Sequence, residues 1–304
     1  MRKTNPGSTR MSSFAKPGLT DKFPPTRWLR GPHGRLAGSY YPAKKPWLQV
    51  LISHGFAEHR GWWDHVARAL SRNGINTFSF DHYHHGRSAG TPGDVPDYDV
   101  FASGLKLALD NGFINHKLPI VLLSHSNGGL AALHALPKLR GKIAGMVLCS
   151  PLLGVPELTL AGGWPLAWIL SLFNPRIIWP VKLRPWRLTH ERSIWDSYQQ
   201  DPLRFHHISA RFFLAMARTS REEQRRASCQ GLPLLLLSAG KEQVVSFRAM
   251  QRWYQAVKTG DKHRLHYPRY CHELFNESDW PIVFNDVLDW MKARWRRRSP
   301  SRAK

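Results

Sequence analysis

The chain has 304 residues, 42% hydrophobic and 12% aromatic, enough to fill a large core and to exclude wholesale disorder. Its 44 Lys+Arg against 21 Asp+Glu give a formal net charge of +23, a balance that attracts polyanions, either nucleic acid or an anionic membrane face. Three scattered cysteines, Cys149, Cys229 and Cys271, exclude a disulfide framework and a zinc module and point to a reducing compartment.

The basic, polar start carries no apolar h-region, so no secretory signal is expected, and residues 1–25 read as a disordered basic arm. Arg35–Tyr41 and Trp47–Ser53 read as strands across the turn Pro42–Pro46. Trp62–Arg72 has apolar residues at helical spacing and stops at Asn73-Gly74. Ile75–Phe80 is a short apolar strand, Val100–Gly112 a helix, and Leu118–Ser124 a buried strand running directly into a helix from Asn127 to Leu139. Ile143–Ser150 is a further strand. From Leu152 to Ser228 the chain is rich in Trp and Pro, with helical patches and no convincing strand. The rhythm resumes with Leu232–Ser238 (strand), Ser246–Val257 (helix), His263–Tyr267 (strand) and Trp280–Arg296 (helix).

This alternation argues for an α/β fold, a mostly parallel sheet with helices on both faces. The expected organisation is a core over 26–151 and 229–296, interrupted by an inserted cap at 152–228 and followed by a basic tail at 297–304. The apolar stretch Ala161–Pro180 is interrupted by Pro165, Pro175 and Pro180, so no transmembrane helix is expected there. A soluble, cytoplasmic protein is expected, with peripheral contact to the inner face of a membrane as its closest approach to lipid.

The most informative residues are Val121-Leu122-Leu123-Ser124-His125-Ser126-Asn127-Gly128-Gly129. A serine at a strand-to-helix bend, with small residues two positions either side, is the nucleophile-elbow pattern G-x-S-x-G, with Ser124 in place of the first glycine. The sharp turn lifts Oγ of Ser126 above the sheet edge, and the small neighbours let helix and strand pass closely. The backbone N–H of Asn127 then faces the reacting carbonyl oxygen. Leu51–Ser53 ends in His54-Gly55-Phe56, and the loop there is expected to supply the second oxyanion N–H from Phe56.

His54-Gly55-Phe56-Ala57-Glu58-His59, then Asp81-His82-Tyr83-His84-His85-Gly86-Arg87-Ser88, then Ser124–Gly129 resembles the monoacylglycerol lipase and lysophospholipase (serine aminopeptidase-like) branch of the α/β-hydrolases. That branch carries H-G-x-x-E-H, D-x-R-G-H-G-x-S and G-H-S-x-G-G in this order. Tyr83 and His84 depart from it where arginine and glycine are usual. The resemblance spans residues 28 to 296 and matches the cap poorly, apart from Leu188–Arg192, which is similar to lysophospholipase sequences. It implies the α/β-hydrolase fold and a catalytic triad in the order Ser, acid, His. The family pattern G-x-D-x-V-V places Glu242 of Gly240-Lys241-Glu242-Gln243-Val244-Val245 in the acid position. Tyr270-Cys271-His272-Glu273-Leu274 resembles the family's histidine loop, making His272 the base.

His82, His84 and His85 cluster in a turn without a carboxylate or cysteine at ligand spacing, and His272-Glu273 fails H-E-x-x-H because the second histidine position is Asn276; no metal is expected. No phosphate-cradling glycine loop and no nucleic-acid module is present, so no cofactor and no nucleic-acid partner is expected. Trp164, Trp168, Trp179, Trp186 and Trp195, with Arg176, Lys182, Arg184 and Arg187 nearby, suit packing of the cap onto the core. They equally suit an interfacial surface on anionic lipid. The reading is a serine hydrolase of lipid-like carboxylic esters, a lysophospholipase or monoacylglycerol lipase acting through an acyl-enzyme. The alternatives are another esterase, thioesterase or peptidase on the same fold, or a non-enzymatic basic protein that docks membrane or nucleic acid.

Overall fold

The computed structural model describes residues 23–113, 117–154, 168–169, 171–181, 183–227 and 231–296. Residues 1–22 of the expected arm, the tail 297–304, Trp164, Lys182 and Cys229 lie outside these. Eight strands form one sheet: β1 (Arg27–Gly31), β2 (Gly34–Tyr41), β3 (Leu48–Ser53), β4 (Ile75–Phe80), β5 (Ile120–His125), β6 (Gly145–Cys149), β9 (Leu234–Ala239) and β10 (Lys262–Tyr267). Their spatial order is β1-β2-β4-β3-β5-β6-β9-β10. The pairs β1/β2 and β2/β4 are antiparallel and the others parallel.

The central strands are apolar on both faces, as a sheet covered on both sides requires. Alternate residues divide between two cores. Leu51, Leu122, Leu234 and Leu236 pack with α2 (Asp99–Asn111), α3 (Ser126–Leu139) and α7 (Phe247–Ala256). Val50, Ile52, Val121, Leu123, Leu235 and Leu237 pack with α1 (Asp64–Arg72) and α8 (Trp280–Trp295). The pairing Ser53↔Ser124 brings the carboxyl ends of β3 and β5 side by side, and ligands of open α/β sheets bind beyond such ends.

Three differences from the sequence reading have simple causes. β1 forms a hairpin with β2 across Pro32-His33; its five residues, including two arginines, hide the apolar alternation. The stretch between β6 and β9 contains two strands where none was expected, β7 (Ile178–Pro180) and β8 (His207–Ser209), paired antiparallel. Three residues are too few to show a period of two. Third, α3 begins on Ser126 itself and continues through Pro137. The same stretch holds the short helix α4 (Pro185–Leu188), α5 (Arg192–Gln200) and α6 (Ala210–Arg226). α6 is capped by Ser209, whose Oγ accepts the Phe212 N–H at 3.2 Å, meeting one of the otherwise unpaired donors of its first turn. No helix among the described residues is long and apolar enough to cross a membrane.

Candidate active site

The bend between β5 and α3 is the structural centre of the site. Ser126 adopts φ 49°, a left-handed conformation that a non-glycine residue holds only where its surroundings impose it. The imposing contact is at Gly128: a Cβ there would lie 2.3 Å from the His54 carbonyl oxygen and 2.5 Å from that of Ser53. Helix and strand therefore touch through backbone, and the serine is pushed outward. Ser126 is buried from bulk solvent but lines a cavity of about 350 Å3 that His272 also lines.

His272 sits on the loop after β10. Its Nδ1 lies 2.8 Å from Oε2 of Glu242, on the loop after β9. The other carboxylate oxygen accepts the N–H groups of Val244 at 2.8 Å and Val245 at 3.1 Å. Burial pushes the Glu242 carboxyl up, but the facing imidazole and these two donors outweigh it and hold it below the ordinary glutamate value. Glu242 is thus a charged, doubly anchored acceptor for His272.

Phe56, on the loop after β3, lines the same cavity. That loop is shaped by a residue whose role the sequence reading left unassigned. Glu58 accepts the Gly55 N–H at 3.1 Å and the Trp63 indole N–H at 3.0 Å, and its other oxygen lies 3.3 Å from Nε2 of His125. Burial opposes charge on both groups, yet their mutual attraction wins: the His125 imidazole is held well above its ordinary value and the Glu58 carboxyl below it. Burial and the neighbouring Glu58 push the Glu273 carboxyl up to about 8. Asn127 is fixed as well, its side-chain oxygen accepting the Tyr98 hydroxyl.

The histidines after β4 serve structure. His82 donates its backbone N–H to Nε2 of His54 at 3.0 Å, and its ring meets those of His54 and Phe80 edge to face. Two groups of metal-type ligands approach one another among the described residues: Glu58, His125 and Glu273, and His190, Cys271 and Glu277. In the second, the Glu277 carboxylate accepts the N–H groups of Cys271 and His190, while Lys241 Nζ lies 3.2 Å from His190 Nε2, a cation where a metal ligand's partner would be. Neither donor set is free for an ion as it stands.

The rest of the cavity comes from the stretch between β6 and β9. Trp179, Val181, Ile208, Phe213 and Met216 give it an apolar wall, and Arg184, Arg187 and Arg204 a basic one. This stretch is fastened to the core through Asp201, whose Oδ2 accepts from His59 Nε2 at 2.7 Å and from the Trp62 indole N–H at 2.8 Å. Arg211 adds an ion pair with Asp94 at 2.6 Å. Nothing in the local sequence around Asp201 marks it, because its partners His59 and Trp62 are about 140 residues away.

A mostly parallel sheet with a serine at a left-handed strand-to-helix bend and a His–carboxylate pair on later loops defines an α/β-hydrolase. Residues 44–279 match the model of the family described as serine aminopeptidase, S33, and the chain belongs to that family of hydrolases. It is 28% identical over 258 residues to a monoacylglycerol lipase of Mycolicibacterium smegmatis, covering 82% of this chain and 90% of the relative. It is also 28% identical over 259 residues to the human monoglyceride lipase, covering 83% and 85%. Among solved structures, a soluble variant of the monoglyceride lipase of Saccharomyces cerevisiae superposes with a TM-score of 0.79 at 19% identity, covering 90% of this chain and 97% of that one.

Proposed function

We propose that the protein hydrolyses single-chain lipid carboxylic esters through a Ser126–His272–Glu242 triad. The observation that carries this is the anchored Glu242–His272 pair facing the same apolar-walled cavity as the strained Ser126. Ser126 Oγ attacks the ester carbonyl while His272 accepts its proton, and Glu242 steadies the imidazolium. The backbone N–H groups of Phe56 and Asn127, the latter in the first turn of α3, bind the developing oxyanion. His272 then protonates the departing alcohol, and water, activated by the same imidazole, releases the acyl group. The apolar wall accommodates the acyl chain, and relatives named as monoacylglycerol lipases agree with such a substrate. The chemistry calls on no metal or cofactor. Assay over monoacyl lipid esters of graded chain length, beside p-nitrophenyl butyrate, tests it. Hydrolysis that improves with chain length is expected; turnover of the short ester with none of the lipids would remove the lipid substrate and leave a small-ester hydrolase.

The residues of the inserted cap also supply a lipid-facing surface. Phe173 is 82% exposed, Leu172 65% and Trp168 55%, and Arg176, Arg184 and Arg187 of the same segment are exposed as well. Exposed apolar and cationic groups of this kind can enter the headgroup boundary of an anionic membrane. The enzyme is accordingly read as cytoplasmic, working peripherally on the inner membrane face. Vesicle sedimentation should show binding that rises with anionic lipid and falls with salt, while equal, negligible binding to neutral and anionic vesicles would dismiss the surface.

A further inference from the structure

The catalytic cavity carries more positive charge than a neutral ester needs. Arg184, Arg187 and Arg204 all line it. Among the described residues none of the three lies within ion-pair distance of a carboxylate, whereas Arg60, Arg68, Arg211, Arg226 and Arg294 each do. Of the carboxyl groups on the cavity wall, Glu58 faces both His125 and Arg204, and burial and Glu58 push that of Glu273 up to about 8, which leaves the three guanidinium groups in excess.

Arg204 is the residue built in most firmly. Its guanidinium carbon lies 4.2 Å from the Tyr198 ring centroid and 5.5 Å from that of Trp62. Cation–π contact with two rings holds the guanidinium in place. Nε and Nη1 have no acceptor among the described residues, so the protein does not spend these donors itself. The turn that presents Arg204 is held in place, because the Asp201 carbonyl accepts the Arg204 N–H at 3.2 Å while the Asp201 side chain is bound by His59 and Trp62. A guanidinium held by two rings, with donors the protein leaves unspent, is suited to an anionic oxygen such as that of a phosphate. Arg184 and Arg187, exposed at the same cavity, add attraction for an entering anion.

From this we infer that the substrate is an anionic lysolipid, an acylglycerol bearing a phosphate, and that Arg204 is the residue that selects its headgroup. The inference rests on the lipid-ester reading above and narrows it. In the bound substrate the acyl chain follows the apolar wall, the ester carbonyl meets Ser126, and the phosphate engages Arg204.

The test compares 1-octanoylglycerol 3-phosphate with 1-octanoylglycerol, both kept below their micelle-forming concentrations so that surface attraction plays no part. The wild-type protein should favour the phosphate ester by about tenfold or more in kcat/KM, one well-placed charged hydrogen bond being worth about that much. Arg204→Gln should reduce that ratio by at least tenfold, chiefly through KM for the phosphate ester. Arg184→Gln/Arg187→Gln, on the exposed rim, should lower the ratio by a smaller factor, and it keeps the test open if Arg204→Gln fails to fold. A wild-type preference for the neutral ester, or equal losses on both substrates in folded variants, would overturn the inference alone. Turnover of p-nitrophenyl butyrate with neither octanoyl lipid cleaved would instead strike the lipid reading, and the headgroup assignment with it.

Discussion

Glu242→Gln separates orientation of the histidine from every other contribution of this loop. The wild-type carboxylate uses one oxygen for the Val244 and Val245 N–H groups and the other for His272 Nδ1. Glutamine has one oxygen to serve both places. If that oxygen stays on the two N–H groups, the amide NH2 faces Nδ1. The imidazole must then carry its proton on Nε2, pointing at Ser126, where it cannot accept another. If the side chain turns over, His272 keeps a competent tautomer but two buried backbone donors meet an NH2 group. Each orphaned donor costs about 2 kcal/mol, so the competent arrangement lies about 4 kcal/mol higher. At 1.36 kcal/mol per decade this places kcat about 10³-fold below wild type, and lower still once the lost charge opposite the imidazolium is added. The assay is kcat on p-nitrophenyl butyrate, with circular dichroism and Tm to show that the fold persists and Glu242→Asp as the variant that retains the charge. A folded Glu242→Gln enzyme within tenfold of wild type would refute the reasoning and mean that some other carboxylate orients His272.

Two further expectations concern the frame around the site. Gly128→Ala would push a methyl group into the backbone oxygens of His54 and Ser53, so thermal unfolding should show a loss of about 3 kcal/mol or more, as for severe overpacking. Gly141→Ala, at φ +76° with nothing within 4 Å of the added carbon, should lose only about 1 kcal/mol of backbone strain; similar losses at both positions would mean that the elbow is not held by this contact. Burial holds the His65 imidazole down at about 4, below the 6.5 or so of the unfolded chain. The unfolded state takes up this proton first as pH falls, so the contribution is complete above pH 6.5 and about 3 kcal/mol of it is lost by pH 4. His65→Gln should therefore flatten the fall of Tm between pH 6.5 and 4.5, and an unchanged slope would assign the acid sensitivity elsewhere.

The parts of the molecule that were legible in the sequence are those whose physics is local. The apolar runs of β3, β5 and β9 announce strands buried on both faces, and the small residues around Ser126 announce a close passage of helix over strand. Glu242 is different: a lone glutamate beside Lys241 carries no local signal, and only the family pattern and the chain order singled it out. What could not be read are pairings made across the chain. Asp201 joins His59 and Trp62 over about 140 residues, and Arg204 enters the cavity because that joint fixes its turn. Glu58 stood in a recognised motif, yet its work, shaping the loop of Phe56 and charging His125, is visible only when β3 and β5 lie side by side. β7 and β8 escaped because three-residue strands are made by their partner rather than by their own pattern.

The central claim is that an acyl group passes through Ser126. Turnover of a long-chain monoacyl ester, quenched in acid within milliseconds and followed by peptide mass spectrometry, observes that event itself. The expected result is the mass of the acyl chain on the peptide containing Ser126, absent from Ser126→Ala, whose kcat should fall by about 10³-fold or more while its fold is kept. An adduct on another residue, or undiminished hydrolysis by the folded Ser126→Ala protein, would contradict the claim.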